Sequence, residues 1–97
     1  MTIKLTFVDQ PTGKVADAEL HFTDGPLTGL KLIGFGVWQR RAGTGYNVTF
    51  PARQYSVNGE RRSFALLRPI ADSSAQDAIR DRIIAAYEAA TAEAATA

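Results

Sequence analysis

Residues 50–62, FPARQYSVNGERR, contain the local signals on which the fold prediction depends. Phe50 ends a stretch of alternating polar and apolar residues, and Pro51 has no amide hydrogen to give to a sheet. Asn58-Gly59 accepts positive φ at both positions, as the type I′ hairpin turn demands. We therefore predict that one strand ends at Pro51 and that an exposed hairpin follows over residues 53–64.

Two alternating segments near the start of the chain predict another hairpin. Residues 2–8 and 15–23 each place apolar side chains at every second position, which is the pattern of half-buried strands. Between them, the sequence QPTG at residues 10–13 is typical of a tight turn. The core-facing residues of the second strand are predicted to be Ala16, Ala18, Leu20 and Phe22.

The segment LKLIGFGVWQR, residues 30–40, is predicted to be a long strand with two internal glycines. Strict alternation puts Leu32 and Trp38 on one face with Gly34 and Gly36, and Phe35 on the other. Glycines inside a strand mark a bulge, a bend or a close backbone approach. Two interpretations stay open: a bent strand with large residues packed over the glycines, or a bare groove that accommodates a ligand.

The last third of the chain predicts one more strand and a helix. FALLRPI, residues 64–70, is an apolar strand sequence that ends at Pro69. Ser73 to Gln76 can form a capping box, and apolar residues then recur at helical spacing; they are Ile79, Ile83, Tyr87 and Ala90. We predict an α+β fold, an antiparallel sheet of about five strands followed by a C-terminal amphipathic helix. A single domain covers residues 1–90, and the Ala/Thr-rich residues 91–97 are expected to fray.

Composition narrows the function classes. The 97 residues include no cysteine, which excludes disulfides, thiol nucleophiles and cysteine-ligated metals. The first ten residues do not have the layout of a signal peptide, and no apolar run reaches the roughly 18 residues of a membrane span. A cytoplasmic location is therefore expected.

The residues that commonly carry catalysis form no recognisable pattern. His21 is the only histidine, and it lies among acids on a predicted strand. Asp17 and Glu19 share its strand face, so a weak carboxylate-based metal site stays open. The chain has no nucleophile elbow and no phosphate loop. We expect no enzyme activity, no cofactor, no small-molecule substrate and no metal.

Positive charge is concentrated in the middle of the chain. Residues 40–68 carry six arginines and one acid, a net charge of +5, whereas residues 1–39 carry −1 and residues 69–97 carry −3. Arginine presents a planar fork of donors that suits phosphate and carboxylate and stacks on bases. The candidate nucleic-acid-binding residues are Arg40, Arg41, Arg53, Tyr55, Arg61 and Arg62.

The aromatic residues of this basic segment are predicted to differ in exposure. Phe50 and Phe64 are expected to pack into the core, and Tyr55 to be exposed beside the turn. For Arg61 and Arg62, contact with a partner and ordinary solvation of a surface hairpin are both open.

The order of these segments resembles the SpoVG family, the stage V sporulation protein G or septation regulators. The motifs that carry the resemblance are GKVADAELHF, LTGLKLIGFGVW, YNVTFPARQ, NGERRSFALLRPI and IRDRIIAAYE, which together span roughly residues 2–89. The resemblance implies a small sheet with a C-terminal helix, usually a homodimer, that regulates genes by binding DNA and in some cases RNA. The family also occurs in bacteria that make no spores, so sporulation is not implied. Gly34 and Gly36, the Arg40-Arg41 turn and the Ala-rich tail depart from its pattern.

Two functions of different class therefore remain. One is a dimeric nucleic-acid-binding regulator, whose affinity falls steeply with salt because phosphate contacts release counterions. The other is a non-enzymatic interaction or structural module whose arginines meet an acidic protein partner. Sequence preference and the choice between DNA and RNA are not encoded in any motif of these residues.

Overall fold

The chain folds as a four-stranded sheet with one helix packed on it and a separate two-stranded hairpin. The computed structural model describes residues 1–8, 13–41 and 43–96, with side chains to residue 94. The sheet order is β1-β2-β3-β4, and β5 pairs only with β6. This arrangement confirms the predicted α+β class, with six strands where about five were expected. The elements are β1 (Thr2–Phe7), β2 (Lys14–His21), β3 (Lys31–Gln39), β4 (Tyr46–Thr49), β5 (Ala52–Val57), β6 (Glu60–Ala65) and α1 (Ser74–Thr96).

The first predicted hairpin is confirmed. β1 and β2 pair antiparallel, from Thr2 opposite His21 to Phe7 opposite Ala16. Of the predicted turn at residues 10–13, only Gly13 lies within the described residues. The predicted inner face of β2 is buried, as alternation requires; its fully buried members are Ala16, Ala18 and Leu20.

A bulge in β3 overturns the predicted alternation of that strand. Ala18 pairs with Phe35, but Leu20 pairs with Leu32, so three steps along β3 match two along β2. Gly34 has a φ of +108° within this interval, a conformation that glycine adopts without the steric cost of a Cβ. The extra residue brings Leu32 and Phe35 to the same core cluster, although strict alternation placed them on opposite faces.

Side chains cover Gly36, which is buried, whereas Gly34 is exposed and has Pro51 beside it. A Cβ on Gly34 would lie 3.1 Å from the Cβ of Pro51, and one on Gly36 would lie 2.9 Å from Trp38 Nε1. Trp38 Nε1 also donates a hydrogen bond to Thr49 Oγ1 at 2.9 Å. At Gly36 the interpretation of a bent strand with residues packed over the glycine is therefore the correct one.

The helix closes the core through the predicted stripe. Ile83 is fully buried and Tyr87 nearly so. The Tyr87 ring makes edge contacts with Phe7 and Tyr46, with ring centres 5.8 and 4.8 Å apart. Burial raises the pKa of the Tyr87 hydroxyl, and the neighbouring Tyr46 adds to the effect.

The start of the helix differs from the predicted capping box. The carboxylate of Asp72 accepts hydrogen bonds from the backbone amide and the hydroxyl of Ser74, and the Ser73 carbonyl accepts from the Asp77 amide at 2.9 Å. A carboxylate just before a helix satisfies amides that have no intrahelical partner. The hydrogen bonds from Ser74 lower the pKa of Asp72. The helix α1 continues to Thr96. The fraying expected for residues 91–97 stays a prediction.

Pro51 separates the hairpin from the sheet, as predicted. β4 ends at Thr49 and β5 begins at Ala52, and the Leu66 amide donates to the Pro51 carbonyl at 2.9 Å across the hairpin root. The predicted strand over residues 64–70 was too long, because the ladder stops at Ala65. The Cα radius of gyration is 14.9 Å, above the roughly 12.5 Å of a compact chain of this length, as a protruding hairpin requires.

Candidate nucleic-acid interface

The β5–β6 hairpin is held by the turn that the sequence predicted. Asn58 and Gly59 have φ values of +51° and +81°, and Val57 pairs with Glu60 on either side of them. A two-residue turn with positive φ at both positions matches the twist of the flanking strands. Every residue of the two strands is exposed, so the hairpin offers both of its faces to a partner.

The register divides the hairpin into two chemically different faces. Tyr55 lies opposite Arg62, and Arg53 lies opposite Phe64. Because directly paired residues share a face of the ladder, these four side chains lie on one face, which we call the aromatic face; its members are Arg53, Tyr55, Val57, Glu60, Arg62 and Phe64. The reverse face consists of Ala52, Gln54, Ser56, Arg61, Ser63 and Ala65.

Three of the six predicted site residues therefore share the aromatic face, and Arg61 does not. Arg53, Tyr55 and Arg62 are neighbours there, whereas Arg61 pairs with Ser56 on the reverse face. Consecutive residues of a strand point to opposite sides, so Arg61 and Arg62 cannot both face one flat partner.

Only part of the positive charge on the hairpin is neutralised. Arg62 Nη2 lies 3.2 Å from Glu60 Oε2, and both side chains are more than half exposed. An exposed ion pair of this kind contributes little and yields readily to a competing anion. Within the described residues, Arg53 and Arg61 have no carboxylate partner. The hairpin thus keeps an uncompensated positive field.

Arg40 and Arg41 are not part of this group. They lie in the turn between β3 and β4, whereas the hairpin leaves from the other end of β4. Arg40 Nε donates to Asn47 Oδ1 at 3.3 Å, and its amide donates to the Gly45 carbonyl at 3.2 Å. Both arginines are exposed. A partner that contacts all six predicted residues must span the length of β4.

Phe64 was wrongly expected in the core. Its side chain is 49% exposed, and the Arg68 guanidinium lies 4.9 Å from its ring centre, within the range of a cation–π contact. Phe64 and Arg68 are thus added to the candidate site, in which the sequence prediction did not include them. The Asn58-Gly59 turn could have found Phe64, because a two-residue turn there fixes residue 64 opposite residue 53. Phe50 does pack inward, with its ring centre 5.2 Å from that of Phe35.

His21, for which the sequence left a weak metal site open, lies in a polar cluster with Glu19 and Lys31. The His21 ring nitrogen Nε2 donates to Glu19 Oε1 at 2.9 Å, and Lys31 Nζ lies 3.4 Å from Glu19 Oε2. The hydrogen bond from His21 is the main cause that lowers the pKa of Glu19, and Lys31 adds to it. Asp17 is paired with Lys14. In the part of the chain that the structure describes, no three histidine or carboxylate residues are grouped as a metal site requires.

Two further results bear on function. Among the described residues, no helix is both long enough and apolar enough to cross a membrane. Comparison of the chain with protein-family models, with curated proteins and with solved structures finds no match. The resemblance to the SpoVG family is thus carried by the sequence motifs alone.

Proposed function

We propose that this chain is a dimeric, cytoplasmic, gene-regulatory protein that binds nucleic acid through the β5–β6 hairpin, as its resemblance to the SpoVG family implies. The observation that carries the proposal is the aromatic face: Arg53, Tyr55 and Arg62 lie together on a ribbon that protrudes from the fold.

The shape of the hairpin supports binding to a duplex. A two-stranded β-ribbon fits the major groove of B-DNA, and arginines on its face or edges reach phosphates and the acceptor edge of guanine. In this mode Arg53 and Arg62 make the charged contacts. Both side chains are exposed, so a phosphate replaces only water and, at Arg62, the weak pair with Glu60.

The same face also suits unpaired bases. Tyr55 and Phe64 are 42% and 49% exposed, and aromatic rings on a strand surface stack successive bases of single-stranded DNA or RNA. Arginines beside the rings then follow the backbone. The proposal therefore includes RNA as a ligand.

Self-association is part of the proposal because the hairpin lacks support. An isolated two-stranded hairpin is marginally stable in water, and apolar side chains stand exposed on it and at its root. These are Val57, Phe64, Leu66 and Ile70. A second copy that covers some of them would stabilise the hairpin and pair two ribbons for one ligand.

The second candidate is an interaction module that binds an acidic protein. The exposed apolar side chains just named favour it, since core residues of protein interfaces are apolar and aromatic. In that case the arginines would meet carboxylates rather than phosphates.

Fluorescence anisotropy tests the proposal directly. The purified chain is titrated into labelled duplex DNA, single-stranded DNA and RNA at two salt concentrations. We expect binding to at least one of them, with a logarithmic salt slope near −0.9 per duplex phosphate contacted. The absence of binding to all three at low salt would favour the acidic protein partner instead.

A further inference from the structure

The aromatic face of the hairpin alternates aromatic residues with arginines. Tyr55 lies opposite Arg62 and Phe64 lies opposite Arg53, so the two aromatic residues occupy one diagonal of the face and the two arginines occupy the other. Diagonal neighbours in an antiparallel pair are about 7–8 Å apart. Each aromatic residue therefore has one arginine across the ladder and another two positions away on its own strand.

Both aromatic rings are open to a partner. The side chains of Tyr55 and Phe64 are exposed, and among the described residues neither ring contacts another aromatic ring. The Arg68 guanidinium, 4.9 Å from the centre of the Phe64 ring, covers one side of that ring. The two largest apolar side chains of the face are thus left for a ligand that can lie flat on a ring.

Only unpaired bases offer such a flat surface. In a duplex each base is covered by its neighbours in the stack, and a ribbon in the major groove meets the edges of the bases. Successive nucleotides in one strand of a duplex are about 3.4 Å apart, less than half the separation of the positions of Tyr55 and Phe64. The two rings therefore match bases of an extended, unstacked strand, on which aromatic side chains stack.

The charge of the chain also favours an unpaired strand. Non-specific binding to a duplex depends almost entirely on cations that neutralise phosphates, and the net charge of the chain is only +1. The aromatic face carries two arginines, Arg53 and Arg62, together with one acid, Glu60. Phosphate contacts by two arginines give weak binding, whereas stacking adds about tenfold in affinity for each base.

We propose that the aromatic face binds an unpaired strand of DNA or RNA in preference to a duplex. One base stacks on Tyr55 and another on the open side of the Phe64 ring, while Arg53 and Arg62 contact the phosphates. This inference rests on the proposed function and narrows it to one form of nucleic acid.

Anisotropy with matched nucleic acids tests the preference in the full chain. The probes are a labelled DNA strand of mixed sequence, the RNA strand of the same sequence, and the duplex of that DNA with its complement. The comparison is made at about 0.15 M salt, where charges are screened beyond about 8 Å. We expect at least one of the two single strands to bind about tenfold more tightly than the duplex.

Variants that remove a ring without changing the charge separate stacking from electrostatics. Tyr55→Leu and Phe64→Leu should each lower the affinity for the single strand about tenfold and leave the affinity for the duplex unchanged. The slope of log K against log salt should stay the same, because no cation is lost. Tyr55→Phe and Phe64→Tyr keep both rings and should bind like the original chain. Since both positions are exposed, none of these changes should unfold the protein.

The outcomes distinguish this inference from the proposed function. A duplex that binds as tightly as both single strands would overturn the inference and leave the proposed function in place, whereas no binding to any of the three at low salt would overturn both. The inference is also overturned if the leucine variants bind the single strands as tightly as the original chain does. The same holds if either leucine variant converts a dimer into a monomer in size-exclusion chromatography, because a second copy would then cover the rings.

Discussion

Tyr55 lies directly opposite Arg62 in the β5–β6 ladder, on a hairpin whose strands are exposed along their whole length. An aromatic residue and an arginine are therefore neighbours on an exposed surface that does not pack against the core. The pairing follows from the Asn58-Gly59 turn, because a two-residue turn leaves one register for the strands beside it. The turn thus decides which arginines share a face of the hairpin.

The faces of the hairpin should differ in their contribution to binding. Arg61→Gln removes the same charge as Arg62→Gln, but from the reverse face. We expect Arg62→Gln to lower the affinity for nucleic acid more than Arg61→Gln does, as measured by anisotropy at low salt. Equal losses would show that the hairpin acts through its net charge and not through the aromatic face.

Gly34 should tolerate substitution poorly, for two reasons. Its φ of +108° is unfavourable for any residue with a Cβ, and the added atom would lie 3.1 Å from Pro51. We expect Gly34→Ala to lower the free energy of unfolding by about 2–3 kcal/mol, measured by urea denaturation. Gly25→Ala is the matched control, since its φ is +77° and nothing lies within 4 Å; it should cost about 1 kcal/mol. Equal costs would mean that Pro51 does not pack against β3.

Ile83 should be the main apolar contribution of the helix to the core. Its side chain is 0% exposed, so Ile83→Ala should lower the free energy of unfolding by about 3 kcal/mol through lost burial and a residual cavity. Ile70→Ala makes the same chemical change at a fully exposed position and should stay within about 0.5 kcal/mol of the original chain. A small effect at Ile83 would contradict the packing of α1 on the sheet.

Asp72 should make the free energy of unfolding depend on pH, and its lowered pKa gives the sign of that dependence. Hydrogen bonds from Ser74 lower its pKa below the usual 3.8, so the folded state binds this proton less readily than the unfolded state. The stabilisation is fully present above pH 3.8 and is lost as the pH falls through the lower pKa of the folded state. The urea midpoint of the original chain should therefore fall faster with acid than that of Asp72→Asn, which keeps a capping oxygen but does not titrate. Parallel curves for the two proteins would refute this role.

The sequence predicted the elements well where local chemistry alone determines them. Alternation located the strands of the first hairpin, and Asn58-Gly59 located the second. The stripe through Ile83 and Tyr87 identified the buried face of the helix. Each of these signals depends on neighbours in the chain.

The sequence failed where the outcome depends on distant contacts. The bulge at Gly34 reverses the faces of β3, and nothing in the alternation indicates on which side of a glycine the register shifts. Phe64 was assigned to the core because an apolar strand is usually covered, yet Pro51 directs the hairpin away from the sheet. The sheet topology separates Arg40 and Arg41 from the hairpin. A count of charges along the sequence gives no information about that topology.

The salt dependence of nucleic-acid binding by an Arg53→Gln/Arg62→Gln double variant tests the central proposal most directly. Each arginine that contacts a phosphate contributes about one unit to the slope of log K against log salt. We predict that the slope of the double variant is smaller than that of the original chain by about two units, and that Arg80→Gln leaves the slope unchanged. Identical slopes for the double variant and the original chain would contradict the claim that the aromatic face contacts nucleic acid.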